Sequence, residues 1–401
     1  MKQEIPLFKV FMAPTVGTEV NKILYSGYVG EGPKVKKFEL DLQNYFSKSR
    51  TKFDIITCNA ATSAEHMIYH MLKSPRKLTT YYDYASTIID WPGLDENSEV
   101  ISTPLTCTAT NWPILHNGLK LVWADIDPTT MNISLDSIRR KINKNTRIIT
   151  IVHWGGYPVD MDKLITIVNN AKNEYGTEIL IIEDCAHAFG SYYKDNNVGF
   201  TGNLSTFSTQ AIKHLTTIDG GFIGSPYLEF SKASKLIRWY GIDRDTPRTD
   251  FRCEQDIPEI GFKFHMNDVN ATIGIENLKH INRIVEYHMN NAEYYNTALK
   301  NISGITLLEH NHPDKKSSYW LYTIRVQDRI NFMKKMSSCG IVVSRVHERN
   351  DKHSGLLRYN IKTDALPNLE EVTKDMICIP VGWWVTPEQI EYITNCIITG
   401  W

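Results

Sequence analysis

The sequence has little that would place the protein in a membrane, a fibre or a repeat array. None of its apolar runs approaches the ~20 residues that a membrane-spanning helix needs, and its first residues lack the apolar core of a secretory leader. Internal repeats and low-complexity tracts are also missing. With 42% hydrophobic and 22% charged residues, the composition is that of a globular protein. We therefore expect a soluble, enzyme-sized protein.

The chain also lacks an excess of charge and any paired cysteine motif. The 44 Lys and Arg residues balance the 45 Asp and Glu residues to a net charge of −1, which argues against a broad nucleic-acid-binding face. The seven cysteines are odd in number and widely spread, and none forms a CxxC pair. This pattern predicts reduced thiols and a cytoplasmic location.

Three common ligand motifs are absent. Without a GxxxxGK[ST] loop the chain is not a P-loop nucleotidase, and Gly27, Gly30 and Gly32 do not form the GxGxxG fingerprint of dinucleotide binding. His66 and His70 are four residues apart on a predicted helix, a spacing that could bind a metal. Because no HExxH pattern accompanies them, two packed helix histidines are the preferred interpretation, and no metal site is predicted.

Short strand patterns alternate with helical patterns from about residue 50 to residue 225. This alternation predicts an α/β fold with a mostly parallel sheet covered by helices on both faces. After about residue 245 a long helical pattern over 267–299 precedes further strands, which predicts a large domain over 1–250 and a smaller α+β domain over 251–401. The weakly patterned segment 74–97 is predicted to be a loop or a short appended element. The predicted strands are 53–57, 100–103, 121–126, 147–153, 178–184, 222–224, 320–326, 341–345 and 377–380.

Two residues, one at the end of a predicted strand and one between two predicted strands, point to a cofactor. Asp184 ends a buried strand, and Lys213 is a lone lysine among apolar and small residues ahead of a Gly-Gly turn. A desolvated lysine can form a Schiff base with a carbonyl, and a carboxylate is the partner that a pyridinium nitrogen needs. A helix-capping carboxylate and a surface lysine are the alternatives when each residue is taken alone. Together the pair predicts a pyridoxal phosphate site, at the sheet edge where such folds bind ligands.

A phosphate cradle is predicted at the strand-to-helix turn 57–64. Backbone N–H groups at a helix N-terminus, together with the Thr62 hydroxyl, would bind an anion. An ordinary N-cap at Thr62 or Ser63 is the alternative.

These segments together resemble the pyridoxal-phosphate-dependent sugar aminotransferases of the DegT/DnrJ/EryC1/StrS family. The resemblance runs over nearly the whole chain and rests on the order and spacing of its motifs. It implies the aspartate-aminotransferase fold (fold type I), with a large domain around a mostly parallel sheet and a smaller C-terminal α+β domain. It also implies a homodimer with shared active sites. The matching segments are 26–33, 59–64, 103–110, 152–160, 183–190, 207–221, 261–268 and 379–380.

The resemblance implies a role for each matching residue. Lys213 would carry pyridoxal phosphate as a Schiff base and move protons, while Asp184 would keep the pyridine nitrogen protonated. His187 would hydrogen-bond the ring hydroxyl. The phosphate would be held by three residues and by a weaker fourth candidate: Ala61, Thr62, Ser208 and Gln210.

Two positions on the cofactor depart from the family pattern. Cys107 stands where the family usually places an aromatic ring that stacks on the cofactor. Lys263 replaces an Asn that in the family reaches the phosphate from the neighbouring subunit, and a lysine there would form an ion pair with that phosphate. Nearby, His265 replaces the usual Arg.

Substrate-binding candidates come from the same resemblance and from the segment 343–354. That segment is dense in side chains that bind sugars, phosphates and carboxylates, and the family geometry would place it above the cofactor. A solvated charged loop is the alternative for each of its residues. The candidates are Tyr28, Trp154, Arg345, His347 and Arg349.

The favoured function is the transfer of an amino group from L-glutamate to a keto-sugar, expected to be a nucleotide-linked keto-deoxysugar. One alternative keeps the fold but makes the protein a sugar dehydratase, whose family members carry His in place of the lysine; Lys213 disfavours it, although His214 is adjacent. A nicotinamide-dependent oxidoreductase and a non-enzymatic cofactor-binding regulator are the remaining alternatives.

Overall fold

The computed structural model describes residues 4–47, 52–81, 86–247, 250, 256–359, 361 and 364–401. The helices of these ranges are α1 (Val16–Leu24), α2 (Pro33–Tyr45), α3 (Ala61–Leu72), α4 (Thr108–His116), α5 (Leu135–Lys141), α6 (Met161–Tyr175), α7 (Leu228–Ile237), α8 (Asp268–Leu278), α9 (Ile281–Leu299), α10 (Arg329–Ser338), α11 (Pro367–Asp375) and α12 (Pro387–Ile398). Short 3-10 helices cover Trp154–Gly156, Asn350–Lys352 and Ser354–Tyr359. None of the helices described is both long and apolar enough to cross a membrane.

The strands in the same ranges are β1 (Asp54–Cys58), β2 (Arg76–Tyr81), β3 (Ser86–Trp91), β4 (Glu99–Ser102), β5 (Lys120–Trp123), β6 (Thr146–Val152), β7 (Leu180–Asp184), β8 (Tyr192–Tyr193), β9 (Asn196–Asn197), β10 (Leu204–Ser208), β11 (Gly221–Ser225), β12 (Ile305–Leu307), β13 (Lys315–Lys316), β14 (Tyr322–Val326) and β15 (Met376–Ile379). Seven of them form the central sheet of the described structure, in the order β1-β11-β10-β7-β6-β4-β5. Five neighbouring strands of this sheet, β10, β7, β6, β4 and β5, pair in parallel. Strand β11 runs antiparallel to both of its neighbours, β1 and β10. The prediction of a mostly parallel sheet is confirmed.

Both faces of the central sheet are buried, because neighbouring residues of one strand enter different hydrophobic cores. Ile182 packs in a core with helix α3, whereas Ile181 packs in a second core that contains residues of α2 and α8. Ile148 and Ile149 of β6 divide in the same way. Apolar side chains on both sides of a strand are what a parallel sheet covered by two helical layers requires. This arrangement leaves the strand ends as the accessible edge.

A smaller unit follows, built on the antiparallel sheet β12-β14-β15. Its core joins Ile324 and Ile377 of the sheet to Phe332 of α10 and Ile393 of α12. Helix α8 instead packs against α1 and α2 of the larger unit. The division at residue 250 stays a prediction, and the packing of α8 favours a boundary nearer His280.

The segment 74–97, predicted to be a loop or a short appended element, contains the hairpin β2–β3, since every residue from Arg76 to Tyr81 pairs with one on β3. Two predicted elements differ from the structure, and one strand of the central sheet was not predicted. Strand β10 was not predicted because its sequence is rich in hydroxyl groups, yet Ser205 and Thr206 are buried in the sheet. The helical pattern 267–299 is broken after Leu278. Residues 341–345 form isolated bridges rather than a strand. Their partners are Ile5 and Cys378.

Candidate active site

A cavity of about 780 Å³ lies where β7 and β10 end and where α3 begins. This is the carboxyl edge of the parallel strands, where such sheets bind ligands. The fold brings together most of the cofactor-binding residues that the sequence predicts. Those on the cavity wall are Ala61, Thr62, Cys107, Asp184, His187, Ser208, Gln210 and Lys213, and the substrate-binding candidate His347 lines the same cavity.

The Asp184 carboxylate is fixed by donors on both of its oxygens. As the last residue of β7 it is 4% exposed. The Thr110 hydroxyl donates to Oδ2 at 2.6 Å, and the Ala186 backbone N–H donates to Oδ1 at 2.9 Å. Thr110 is in turn 2.8 Å from the hydroxyl of Thr106, one helical turn earlier. Two good donors favour the ionised carboxyl, so Asp184 presents a negative charge to the cavity.

Lys213 lies in the loop between β10 and β11 with its amine inside the cavity. The ammonium nitrogen is 3.4 Å from the centroid of the Trp320 ring. Burial lowers the pKa of Lys213 to about 7, although the charge of Asp184 opposes this shift and Cys107 opposes it more weakly. A lysine with this pKa is partly neutral at physiological pH, and the neutral amine is the nucleophilic form.

The loop that carries Lys213 is clamped against the first turn of α3. Thr209 N–H donates to the Gly220 carbonyl at 2.9 Å, which closes the loop at its base. A Cβ atom on Gly221 would lie 2.4 Å from the Ala61 backbone nitrogen. Only glycine lets the two backbones approach this closely, so Gly221 sets the distance between the lysine loop and the helix terminus.

The N-terminus of α3 has the properties of an anion-binding site. Helix α3 begins at Ala61 after an N-cap at Ala60, and no side chain caps it in the described structure. The alternative of an N-cap at Thr62 or Ser63 is therefore wrong, because both residues lie inside the first turn. The N–H groups of this turn lack intrahelical partners and can bind a phosphate. Ser208, whose hydroxyl accepts from Gln210 N–H at 3.3 Å, lines the same cavity.

Three aromatic side chains form the opposite wall. The His187 ring stacks on the indole of Trp320 with 4.0 Å between centroids, and the His347 ring lies parallel to His187 at 5.7 Å. Burial and then the Lys213 charge lower the pKa of His187 well below its ordinary value, and lower the pKa of His347 to about 4. Both imidazoles are therefore neutral at physiological pH. The buried Nε2 atom of His347 has no hydrogen-bond partner among the described residues, which leaves it available to a ligand.

Two substrate-binding candidates lie away from the cavity wall. Trp154 is buried behind His187 and donates its indole N–H to the Thr323 hydroxyl at 3.1 Å. Arg349 is buried, with its guanidinium bound to Asp351 at 2.7 Å and to a second carboxylate from α11. An arginine whose charge is neutralised by two carboxylates stabilises the fold and is not available to bind an anionic substrate. The geometry argues against Arg349 as a substrate ligand, and it leaves Trp154 a supporting position behind His187.

Three further candidates have side chains at the surface of this chain. Tyr28 is 78% exposed on the loop before α2. Arg345 pairs with Glu348 at the rim of a neighbouring cavity that shares His347. Lys263 is exposed, and its amine is 3.4 Å from the centroid of the Trp239 ring, outside the Lys213 cavity of its own chain. The roles of these residues stay predictions.

Sequence reasoning missed several side chains of the cavity, among them Trp320 and Glu65. Trp320 precedes β14, and the aromatic contact with Lys213 arises only when the smaller unit packs on the larger one. Glu65 lies on α3, where a carboxyl in a helical pattern is ordinarily taken for a solvent-facing residue; here it is 2% exposed. The sequence did contain a signal, because the helical periodicity assigns the position of this Glu to the buried face.

The possible metal ligands are occupied by protein groups. His66 and His70 pack edge-on against the Phe262 ring, as predicted. Within the described ranges one other cluster has ligand-like spacing, formed by His153, Glu183 and Cys185. The two ring nitrogens of His153 contact the Val159 N–H at 3.0 Å and the Glu183 carboxylate at 3.1 Å. This histidine has no free nitrogen for a metal.

The depressed pKa of Lys213 predicts its reactivity in the cofactor-free protein. Trace labelling with acetic anhydride across a pH series should reach half its maximum for Lys213 near pH 7, because only the neutral amine reacts and burial lowers the pKa to about 7. The exposed Lys232, labelled in the same samples, is the internal control for the reagent. A Lys213 midpoint near the value of about 10.4 that is usual for a lysine would contradict the desolvated site.

Comparison with known proteins identifies the family. The sequence profile of the DegT/DnrJ/EryC1/StrS aminotransferase family matches residues 13–398. The structure of AtS13 from Actinomadura melliaura is 39% identical, with a TM-score of 0.90 and 100% of each chain covered. The sugar aminotransferase CalS13 from Micromonospora echinospora is 35% identical, with a TM-score of 0.88 over 99% of this chain and 100% of its own. The UDP-4-amino-4-deoxy-L-arabinose–oxoglutarate aminotransferase of Shewanella sediminis is 24% identical over 90% of this chain and 89% of its own.

Because these matches span nearly the whole chain and the fold is shared, the protein belongs to the DegT/DnrJ/EryC1/StrS family of pyridoxal-phosphate-dependent sugar aminotransferases.

Proposed function

We propose that the protein transfers the amino group of L-glutamate to a nucleotide-linked keto-sugar, and that Lys213 and Asp184 are its central catalytic residues. The observation that carries this proposal is that both side chains enter one cavity, beside the uncapped N-terminus of α3. A partly neutral amine, a fixed carboxylate and an anion site are the three groups that pyridoxal phosphate requires.

The residues of the cavity fit the cofactor in one orientation. The first turn of α3 and Ser208 would bind the phosphate, and Asp184 would meet the pyridine nitrogen. His187 would hydrogen-bond the ring hydroxyl, because its imidazole is neutral and faces the cavity. Bound in this way, pyridoxal phosphate supplies an electron sink for the negative charge that develops when a carbon beside the amine loses its proton.

Lys213 would act as the proton carrier. A general base works best when its pKa lies near the working pH, and the pKa of Lys213 is about 7. Its amine would take the proton from Cα of glutamate and return a proton to the acceptor carbon. The Trp320 face, 3.4 Å from the amine, excludes water on that side and stabilises the ammonium form through its π electrons.

The choice of amino donor and acceptor rests on the chemistry of the relatives and on the size of the cavity. The relative from Shewanella sediminis is named as an oxoglutarate aminotransferase of a UDP-linked amino sugar, which supports glutamate and a nucleotide-linked sugar here. The cavity of about 780 Å³ lies within the range of roughly 300–1,000 Å³ that is usual for sites enclosing small ligands. His347, with its free Nε2, is the best-placed side chain to contact the sugar.

The dehydratase alternative has less support. It needs a histidine in place of the lysine, and the adjacent His214 is directed elsewhere. The Nε2 atom of His214 is 3.0 Å from the Ser318 carbonyl, and its ring packs on His288. Of the two adjacent residues Lys213 and His214, Lys213 is thus the one that lines the cavity. The oxidoreductase and regulator alternatives are wrong, because the chain belongs to a family of aminotransferases.

The proposal includes a homodimer in which Lys263 completes the phosphate site of the partner subunit. In its own chain the Lys263 amine lies over Trp239 and away from the cavity. Burial lowers the pKa of Lys263, and the neighbouring Arg244 lowers it further. A phosphate from another subunit would relieve this repulsion between cations.

The proposed reaction can be tested in its two halves. The cofactor-loaded protein mixed with L-glutamate alone should release one equivalent of 2-oxoglutarate per site and lose its visible absorption band. Addition of a nucleotide-linked keto-sugar should restore the band and yield an amino sugar, detected by mass. A deoxygenated sugar formed without consumption of glutamate would instead identify a dehydratase. No release of 2-oxoglutarate would exclude glutamate as the donor.

A further inference from the structure

Glu65 is a carboxyl on the cavity wall for which the proposed reaction provides no role. It lies in the second turn of α3, directly beyond the residues assigned to the phosphate, and is 2% exposed. Its neighbours across the cavity are Asp184 at the end of β7 and Thr206 on β10. A carboxyl buried this deeply is rare unless a partner compensates it.

The hydrogen bonds around Glu65 show which partner it has. Oε1 accepts one bond, from the Thr206 hydroxyl at 3.2 Å. Oε2 is buried and accepts from no donor in the described part of the chain. Thr206, which holds Glu65, pairs with Asp184 in the parallel register of β10 and β7, so the Glu65 and Asp184 carboxyls are neighbours that a hydrogen bond can join. Between two carboxyls such a bond exists only if one of them carries a proton.

The proton belongs on Glu65 rather than on Asp184. Asp184 accepts bonds at 2.6 and 2.9 Å from two other donors, both of which stabilise its ionised form. Glu65 accepts a single, longer bond. The oxygen Oε2 would be an unpaired anion if ionised, and becomes a donor if protonated. A neutral Glu65 gives Oε2 a hydrogen-bond partner, and it avoids two adjacent negative charges.

The groups that face Glu65 also favour its neutral form. The titratable side chains that interact with it are Asp184, Cys107, Cys185 and, on its own helix, Tyr69. None of these four can carry a positive charge. Burial raises the pKa of Glu65 well above its ordinary value, the charge of Asp184 raises it further, and the Thr206 hydroxyl only partly opposes the shift.

We propose that Glu65 is a positioning residue that stays protonated at neutral pH and donates a hydrogen bond to the Asp184 carboxylate. This third donor would orient Asp184 and lower its affinity for a proton. The proton shared between Asp184 and the cofactor would then stay on the pyridine nitrogen, where it strengthens the electron sink. The protonation state itself is a property of this chain without cofactor; only its catalytic consequence rests on the proposed function.

Infrared difference spectroscopy of the cofactor-free protein tests the protonation directly. The spectrum of wild type minus Glu65→Gln at pH 7 should contain one C=O stretching band of a protonated carboxylic acid, which shifts in heavy water. Glu183→Gln is the matched control, because Glu183 is also fully buried. Burial alone would raise its pKa, but the hydrogen bonds from His153, Asn203 and Thr201 lower it overall. Its difference spectrum should contain carboxylate bands and the amide band of the new glutamine but no band of a protonated carboxylic acid, and the same result for Glu65 would overturn the proposal.

The pH dependence of stability gives a second measurement on the same cofactor-free protein. Above the ordinary pKa of a glutamate, about 4.3, the unfolded chain releases the Glu65 proton while the folded chain keeps it. The wild type should therefore lose stability relative to Glu65→Gln as the pH rises from 5 to 7, by about tenfold in the unfolding equilibrium per pH unit. Parallel stability curves for the two proteins would contradict a retained proton.

The cofactor-loaded protein then reports the consequence for Asp184. Glu65→Gln keeps a neutral donor in place, so the pH midpoint of its visible absorption band should match the wild type. Glu65→Leu removes the donor and should raise that midpoint by about one pH unit. Equal midpoints in all three proteins would exclude the effect on Asp184. A protein that binds no pyridoxal phosphate would instead count against the proposed function, while the infrared and stability results on Glu65 would stand.

Discussion

Replacement of Lys213 by alanine should lower the rate of amino transfer by about 10⁴-fold or more and change the colour of the protein. Lys213 is the lysine that lines the cavity together with Asp184. The expected loss is therefore at the upper end of what a positioned proton carrier contributes to the rate. The mutant can still bind pyridoxal phosphate through the other contacts, but no lysine would be available to hold it covalently. The measurements are the single-turnover rate with L-glutamate and the visible spectrum before and after borohydride.

Two controls separate the chemistry of Lys213 from its charge and from general effects of substitution. Lys213→Arg keeps a cation near Trp320 but remains protonated at all working pH values, so it should be as inactive as the alanine variant. Lys232→Ala removes an exposed lysine of α7 and should behave as the wild type. After borohydride reduction of the wild type, the cofactor mass should be found on the peptide that contains Lys213. Its recovery on another lysine, or near-normal turnover by Lys213→Ala, would contradict the assignment.

The second largest effect is expected for Asp184→Asn, with a loss of about 10³-fold in the rate of the half-reaction with glutamate. The amide has the shape of the carboxylate but carries no charge, so it cannot hold a proton on the pyridine nitrogen. Its NH₂ group would also face the Thr110 hydroxyl or the Ala186 N–H, both of which now donate to Asp184. The variant should therefore bind the cofactor more weakly as well, which equilibrium dialysis measures.

The control for this substitution is Asp136→Asn, which removes an exposed carboxylate of α5 that pairs with Arg139. It should leave the half-reaction unchanged, because a surface ion pair contributes little and lies on another part of the fold. A loss of less than tenfold in Asp184→Asn would show that the negative charge of Asp184 is not what activates the cofactor. The N1-proton role would then have to be given up, although the cavity would remain the binding site.

Local sequence patterns predicted the sheet well where the strands are apolar. Residues 147–153 and 178–184 were predicted to be strands from their apolar and β-branched runs, and the structure has the buried strands β6 and β7 there. Helices α5 and α6 begin after Ser134 and Asp160, residue types that commonly cap helices, and each side chain accepts from the backbone N–H three residues later. These signals are local, so they do not depend on the rest of the chain.

The same reasoning failed where burial, rather than residue type, decides the structure. Strand β10 has hydroxyl groups at buried positions, and its place between β7 and β11 becomes evident only from pairing. The two strands of the β2–β3 hairpin, which the weak pattern of 74–97 left open as a loop or an appended element, are evident only from their pairing. Arg349 looked like a ligand for anions because the carboxylates that neutralise it, Asp351 and one on α11, could not be placed around it from the sequence.

By itself, the sequence determined the α/β class and the family, and it singled out Asp184 and Lys213 as the candidate catalytic pair. Strand ends and a desolvated lysine leave a mark in the order of residues, because chemistry at the edge of a parallel sheet falls directly after each strand. Only the tertiary structure decided which side chains surround that pair. Trp320 reaches Lys213 from the smaller unit, and Thr206 of β10 brings Glu65 beside Asp184. Protonation states follow from such neighbours and from exclusion of water, which act through space between residues far apart in the chain.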